Sequence, residues 1–119
     1  MRGSDPILIV EDDPDVRDTL REVLESEGLS VMTATNGKEA LERLASSPRP
    51  CMILLDLLMP VMNGLEVLDA LRLDPRLATI PVIIVSAHDH LAGQAKGATG
   101  FLKKPVDLDV LVETVQRAC

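Results

Sequence analysis

Residues 52–60 read MILLDLLMP, and this stretch decides the fold. Its first four residues form a continuous apolar run, which is typical of a strand buried on both faces of a parallel sheet. Pro50 and Pro60 bound the stretch. One carboxylate, Asp56, follows the apolar run directly, and a charge in such surroundings is costly unless other groups pair with it. The residues that meet Asp56 should therefore reveal the function.

Composition sets the class of protein. The 119 residues suffice for one domain with its own core, and the hydrophobic content of 46% excludes a disordered chain. Phe101 is the single aromatic residue, so the core must be aliphatic. The formal charge of −7 argues against direct nucleic-acid binding by this domain, because phosphate binding needs a basic surface.

Cysteine use and hydropathy give expectations about the compartment. Cys51 and Cys119 show no metal-ligand spacing, and we expect them to be reduced thiols in a cytoplasmic protein. No apolar run reaches the roughly 18 residues of a membrane span. Residues 1–4 are too short and polar for a signal peptide, so we place the domain at residues 5–119, after a short N-terminal extension.

Strand and helix signals alternate five times along the chain. The strands are predicted at residues 6–10, 29–35, 52–55, 82–85 and 99–102. Helix starts follow at Asp13-Pro14, Asn36-Gly37, Asn63-Gly64 and Asp107. Such alternation predicts an α/β fold, a doubly wound (βα)5 arrangement with five parallel strands and right-handed crossovers.

Polar residues follow four of these strands at the point where each ends. They are Glu11 and Asp12 after the first strand, Asp56 after the third, Ser86 after the fourth and Lys104 after the fifth. Ligands of open parallel sheets bind outside the carboxyl ends of the strands. We therefore expect these side chains to form one site.

The chemistry of this set favours a divalent cation and a phosphoryl group. Crowded carboxylates repel one another, and Mg²⁺, or Mn²⁺ in its place, would remove the conflict. The backbone carbonyl of Leu58 could complete the ligand set. Lys104 and Ser86 could contact phosphoryl oxygens, and Asp56 could act as the nucleophile that forms an aspartyl phosphate.

The chain resembles the receiver domains of two-component response regulators, the CheY-like family. The matching motifs cover nearly the whole chain and are residues 10–13 (VEDD), 55–60 (LDLLMP), 63–64 (NG), 85–87 (VSA) and 104–105 (KP). The resemblance implies the flavodoxin-like strand order 2-1-3-4-5. It also implies that Asp56 is the phospho-acceptor, that Glu11 and Asp12 are the metal acids, and that Leu58 offers a metal-ligand carbonyl.

The resemblance further implies a conformational switch. Ser86 would be the switch hydroxyl, Lys104 the phosphate-binding lysine, and Phe101 the aromatic residue that rotates inward. The Lys104–Pro105 peptide bond would be cis, as is typical of the family. Such a domain takes its phosphoryl group from a sensor histidine kinase or a histidine phosphotransfer protein and catalyses only its own phosphorylation and dephosphorylation. An output partner or effector domain, and a homodimer formed on phosphorylation, are further expectations.

One departure from the family concerns the segment between Ser86 and Lys104, which is about four residues shorter than usual, roughly one helical turn. Its residues 88–97 contain two glycines and little apolar periodicity. We therefore expect a shortened or irregular fourth helix, which places the usual output face, made of the fourth helix, fifth strand and fifth helix, in question.

Two other functions remain open at this point. The chain could be a docking module that keeps the fold without phosphorylation, although such modules usually lose one of the acids. It could instead be a phosphatase, but those enzymes generally need a second carboxylate two residues after the nucleophile, where Leu58 stands.

Single residues also have simpler interpretations. Glu11 and Asp12 could cap a helix. Lys103 could be the functional lysine instead of Lys104, and Phe101 could be a core residue without a switching role. His88 and His90 are spaced like a metal pair but lack a third ligand, which favours exposed loop histidines.

Overall fold

The structure is a computed structural model that describes residues 5–46, 48–87 and 93–119. These residues form five strands and four helices: β1 Ile7–Val10, α1 Pro14–Ser26, β2 Val31–Ala34, α2 Gly37–Ser46, β3 Met52–Leu55, α3 Gly64–Leu73, β4 Val82–Ser86, β5 Gly100–Lys103 and α4 Leu108–Ala118. None of the helices in these ranges is long and apolar enough to cross a membrane.

The five strands form one parallel sheet in the order β2-β1-β3-β4-β5. Both the α/β class and the predicted strand order are confirmed. The order reverses between β1 and β3, where Val10 pairs with Leu55 at the carboxyl ends of the two strands. Parallel α/β sheets bind ligands beside such a reversal.

Helix caps fix the entry into the helices that begin at this edge. Asp13 precedes α1, and its side chain accepts hydrogen bonds from the amides of Asp15 and Val16. Asp107 caps α4 in the same way. Asn63 and Glu66 form a reciprocal capping box at the start of α3. The predicted helix start at Asp13-Pro14 agrees with this geometry.

The core lies on both faces of the sheet, because successive strand residues point to opposite sides. On one face, Leu8, Ile53 and Leu55 pack with buried residues of α2 and α3. On the other face, Ile9 and Leu54 pack with buried residues of α1 and α4. All residues of β1, β3 and β4 are buried, as their unbroken apolar sequence predicts.

The region predicted to hold a shortened or irregular fourth helix falls partly on residues 88–92, which lie outside the described residues together with His88 and His90. In the described portion of this segment, residues 93–99 contain turns and no helix. Gly97 has a positive φ of 94° and packs against the side chain of Arg72 from α3.

Cys51 and Cys119 form a disulfide, so the expectation of reduced thiols was wrong. Cys51 directly precedes β3, and Cys119 follows the last residue of α4. Helix α4 returns across the sheet to the edge where the strands begin, so the two Cα atoms lie 5.6 Å apart despite a sequence separation of 68 residues. Only the folded topology reveals this proximity.

Candidate functional site

Three carboxylates meet at the carboxyl edge of the sheet, beside the reversal in strand order. One oxygen each from Glu11, Asp12 and Asp56 lies within 4.8 Å of the others. Glu11 and Asp56 are buried, whereas Asp12 is exposed. The structure therefore brings together the three acids that the sequence predicts, with one open side toward solvent.

Backbone hydrogen bonds fix these residues one position beyond their strands. The amide of Glu11 donates to the carbonyl of Ala34, and the amide of Asp56 donates to the carbonyl of Val10, each over 3.0 Å. The amide of Lys104 donates to the carbonyl of Ser86, also over 3.0 Å. The hydrogen-bond ladder of the sheet thus continues into the site and holds the backbone of the site residues in place.

Lys104 bridges two of the acids. Its Nζ lies 2.7 Å from Oε1 of Glu11 and 3.5 Å from Oδ2 of Asp56. The shorter distance is that of a charge-assisted contact. We describe this contact as an ion pair. The sequence predicted that Lys104 and Asp56 belong to one site, but it did not predict that Glu11 would be the nearer partner.

Burial is the main cause of the raised pKa values of two of the acids, Glu11 and Asp56. Desolvation raises the pKa of Glu11 from 4.5 to about 7, although Lys104 and the Asp13 amide partly oppose the rise. Desolvation also raises the pKa of Asp56 above its usual value, again against the attraction of Lys104. For Lys104, burial lowers the pKa, but the contacts with Glu11 and Asp56 outweigh burial and raise it overall.

A divalent cation fits these residues. Oε2 of Glu11 accepts a hydrogen bond from the amide of Asp13 over 3.1 Å, whereas buried Oε1 contacts the ammonium group of Lys104. The carboxyl groups repel one another, and burial opposes their ionised forms. A hard cation bound by carboxylate oxygens would relieve both costs.

The remaining predicted residues surround this centre. Ser86 is fully buried as the last residue of β4, and Lys103 is exposed while Lys104 is half-buried. Leu58 lies two residues after Asp56, with its side chain half exposed. Phe101 is partly buried in β5 and packs against the core on the α2 and α3 face. The Lys104–Pro105 bond is cis, as expected.

The loop after Asp56 is held against the start of α3. The amide of Gly64 donates to the carbonyl of Leu57 over 2.9 Å, and a Cβ on Gly64 would lie 2.3 Å from the Asp56 carbonyl oxygen. Glycine is therefore required for this close approach. In the same loop Val61 adopts a positive φ of 69°, an uncommon conformation for a β-branched residue.

A family model described as the response regulator receiver domain matches residues 7–116. The chain belongs to this family. It is 37% identical over 113 residues to protein PilH of Pseudomonas aeruginosa, covering 92% of this chain and 93% of that protein. Some relatives are much longer than this chain. The chain is 39% identical over 116 residues to the DNA-binding transcriptional regulator NtrC of Escherichia coli and covers 24% of that protein.

Solved structures agree with the family. The response regulator TrrA of Thermotoga maritima, in complex with Mg(2+)-BeF, superposes with a TM-score of 0.87 at 32% identity, covering 97% of this chain and 99% of that one. The receiver fold thus extends over nearly the whole chain, including the strand ends that carry the acids. The resemblance inferred from the motifs is confirmed.

Sequence reasoning missed two features of this receiver domain. Arg17, in the first turn of α1, donates from Nη1 to the carbonyl of Glu11 over 2.9 Å. The spacing of six residues between them carries no recognisable signal. The other feature is the disulfide between Cys51 and Cys119, whose pairing depends on the return of α4 across the sheet.

Proposed function

We propose that this receiver domain accepts a phosphoryl group on Asp56 in a two-component signalling system and passes the signal on through a change of conformation. The observation that carries the proposal is the placement of Lys104 between Glu11 and Asp56, with Asp12 beside them. A half-buried lysine that faces an acid triad suits a phosphoryl acceptor, because it can neutralise charge that arrives with the group.

Glu11, Asp12 and Asp56, with the backbone carbonyl of Leu58, would hold Mg²⁺, and Mn²⁺ could replace it. When bound, the cation supplies positive charge that offsets the negative charge of the phosphoryl oxygens. The exposed side of Asp12 leaves the site open to solvent, from which a phosphodonor would enter. The response regulator TrrA from Thermotoga maritima, in complex with Mg(2+)-BeF, supports the assignment by similarity.

In the proposed transfer, an ionised oxygen of Asp56 attacks phosphorus. An O–P bond forms as the P–N bond of a phosphohistidine breaks, and the imidazole nitrogen leaves with the electron pair. Lys104, released in part from Glu11, would turn its Nζ toward a phosphoryl oxygen. The hydroxyl of Ser86 would donate a hydrogen bond to another oxygen.

The donor would dock beside Lys104. A cavity of about 550 Å³ opens there between α1 and the segment that joins β5 to α4, and its walls are mainly apolar. Val16 and Leu20 of α1 line one side, and Pro105 and Leu108 line the other. An apolar surface next to the acceptor suits a sensor histidine kinase or a histidine phosphotransfer protein as the donor.

The signal would leave through the switch residues. Movement of the Ser86 hydroxyl toward the phosphoryl group would open space for Phe101, which lies in β5 beside Ile84 of β4. We assign this role to the domain at residues 5–119, with an output partner or effector domain, or a second phosphorylated copy, as the recipient. The domain would act as a signalling acceptor that catalyses only its own phosphorylation and dephosphorylation.

Incubation with acetyl phosphate and Mg²⁺, followed by intact-mass measurement, tests the proposal. The protein should gain one phosphoryl group, and Asp56→Asn should gain none. Asp69→Asn, which removes an exposed acid from α3, is the matched control and should gain the group as the wild type does. Absence of any gain in the wild type, or an equal gain in Asp56→Asn, would refute the assignment.

A further inference from the structure

Arg17 occupies a position that helix electrostatics do not favour. It lies in the first turn of α1, where a positive charge opposes the helix dipole. Its side chain is partly buried and reaches back past the start of the helix, as long helical side chains tend to do. Nη1 ends 2.9 Å from the carbonyl oxygen of Glu11. The contact with Glu11 therefore accounts for an arginine here better than helix stability does.

The carbonyl that Arg17 holds belongs to the peptide unit that joins Glu11 to Asp12. Because a peptide unit is planar, fixing its carbonyl direction fixes the rotation on both sides of it. The rotations concerned are ψ of Glu11 and φ of Asp12, which set the directions of both acidic side chains. A single hydrogen bond from α1 thus bears on two of the three acids.

Other bonds restrain the neighbours of this peptide unit. The Glu11 amide bonds to Ala34 of β2, and Oε2 of Glu11 accepts from the amide of Asp13. Asp13 is fixed in turn as the cap of α1. Arg17 restrains the carbonyl group of Glu11. The loop between β1 and α1 is therefore bonded both to the sheet and to the helix.

We propose that Arg17 is a positioning residue for Mg²⁺ binding, acting through the Glu11–Asp12 peptide unit. This inference rests on the metal site of the proposed function. Arg17 orients the two acids before the cation arrives, so that less ordering remains to be done on binding. Groups that orient metal ligands typically change metal affinity 10- to 100-fold when they are removed.

Loss of Arg17 has two opposite effects on cation affinity. The direction of the net change in affinity therefore distinguishes the two possible roles of Arg17. Removal of a positive charge near the site would by itself strengthen binding of a cation, since like charges repel. Loss of orientation would weaken it. A role confined to charge therefore predicts tighter Mg²⁺ binding by Arg17→Met, whereas a positioning role predicts weaker binding.

The experiment measures the Mg²⁺ dissociation constant of the full chain by following amide NMR shifts during titration. Arg17→Met should bind Mg²⁺ about tenfold more weakly than the wild type, at the low end of the effect of such groups. Arg17→Lys, which keeps the charge and one donor, should fall between them. Arg21→Met is the control, because Arg21 lies on the same helix but pairs with exposed Asp18 and Glu25.

Thermal unfolding in EDTA checks that Arg17→Met and Arg21→Met are both folded at the temperature of the Mg²⁺ titration. If Arg17→Met does not fold, Arg17→Gln is a second neutral variant, and it should also bind Mg²⁺ more weakly than the wild type. Equal or tighter Mg²⁺ binding by the neutral variants would overturn the proposal while leaving phosphorylation of the wild type intact. Failure of the wild type to bind Mg²⁺ would overturn both this inference and the proposed metal site.

Discussion

Replacement of Glu11 by Gln should raise the stability of the metal-free protein at alkaline pH. Glu11 is 2% exposed, and burial raises its pKa from 4.5 to about 7. One pKa unit corresponds to about 1.4 kcal/mol, so ionising this carboxyl group in the folded state costs about 3 kcal/mol. Gln keeps the size of the side chain and an oxygen for Lys104, but it never ionises.

The sign of the pH dependence follows from the direction of the pKa change. The folded protein binds the Glu11 proton more tightly than the unfolded chain does. The stability that this proton provides is present below about pH 4.5 and is lost as the pH rises through about 7. The raised pKa of Asp56 acts in the same direction. Without divalent cations, the free energy of unfolding of the wild type should therefore fall between about pH 5 and pH 8.

Urea denaturation followed by far-ultraviolet circular dichroism is the suitable assay, because the chain contains no Trp or Tyr for fluorescence. In EDTA, Glu11→Gln should show a flatter pH profile and exceed the wild type at pH 8 by up to about 3 kcal/mol. Glu113→Gln, at an exposed position of α4, is the control and should follow the wild type closely. Parallel profiles for the wild type and Glu11→Gln would refute the reasoning.

Three further substitutions test packing, covalent closure and backbone strain. Gly64→Ala should lower the free energy of unfolding by about 2 kcal/mol or more, because its Cβ would lie 2.3 Å from the Asp56 carbonyl oxygen. Gly93→Ala should cost far less, because no atom of the described residues would lie within 4 Å of its Cβ. Cys51→Ser should lower the free energy of unfolding by about 4 kcal/mol, because the disulfide closes a loop with a sequence separation of 68 residues, and reduction of the wild type should have the same effect. Val61→Asn should raise it by about 1 kcal/mol, because Val61 is 75% exposed and Asn adopts a positive φ more readily.

Chemical denaturation measures all three changes, and each has a result that contradicts it. Equal stability of Gly64→Ala and Gly93→Ala would show that the loop after Asp56 can move away without cost. If a reducing agent left the free energy of unfolding of the wild type unchanged, that result would argue against a stabilising disulfide between Cys51 and Cys119. A loss of stability in Val61→Asn would mean that the isopropyl group makes favourable contacts in spite of its exposure.

The sequence predicted the fold well where one physical signal dominated. Unbroken apolar runs identify β1, β3 and β4 because both faces of those strands are buried. The weaker signal of β2 gave a prediction of residues 29–35, longer than the observed Val31–Ala34, because only one of its four residues is fully buried. Capping residues such as Asp13 and Asp107 located helix starts correctly because their hydrogen bonds are local.

Contacts between distant elements were less predictable. The position of polar residues after the strands indicated that Glu11, Asp56 and Lys104 would meet, since parallel strands end at one edge. It could not indicate that Lys104 lies nearer to Glu11, which depends on the path of the side chain. The disulfide and the bond from Arg17 depend on how helices pack against the sheet, which sequence periodicity does not fix.

The site of phosphorylation is the most direct test of the central claim. After reaction with acetyl phosphate and Mg²⁺, borohydride reduction would convert a phosphorylated aspartate into homoserine, which peptide mass spectrometry locates in the sequence. We expect homoserine at position 56, and its loss when EDTA replaces Mg²⁺. An unmodified Asp56, or homoserine at another acidic residue with position 56 unchanged, would contradict the account.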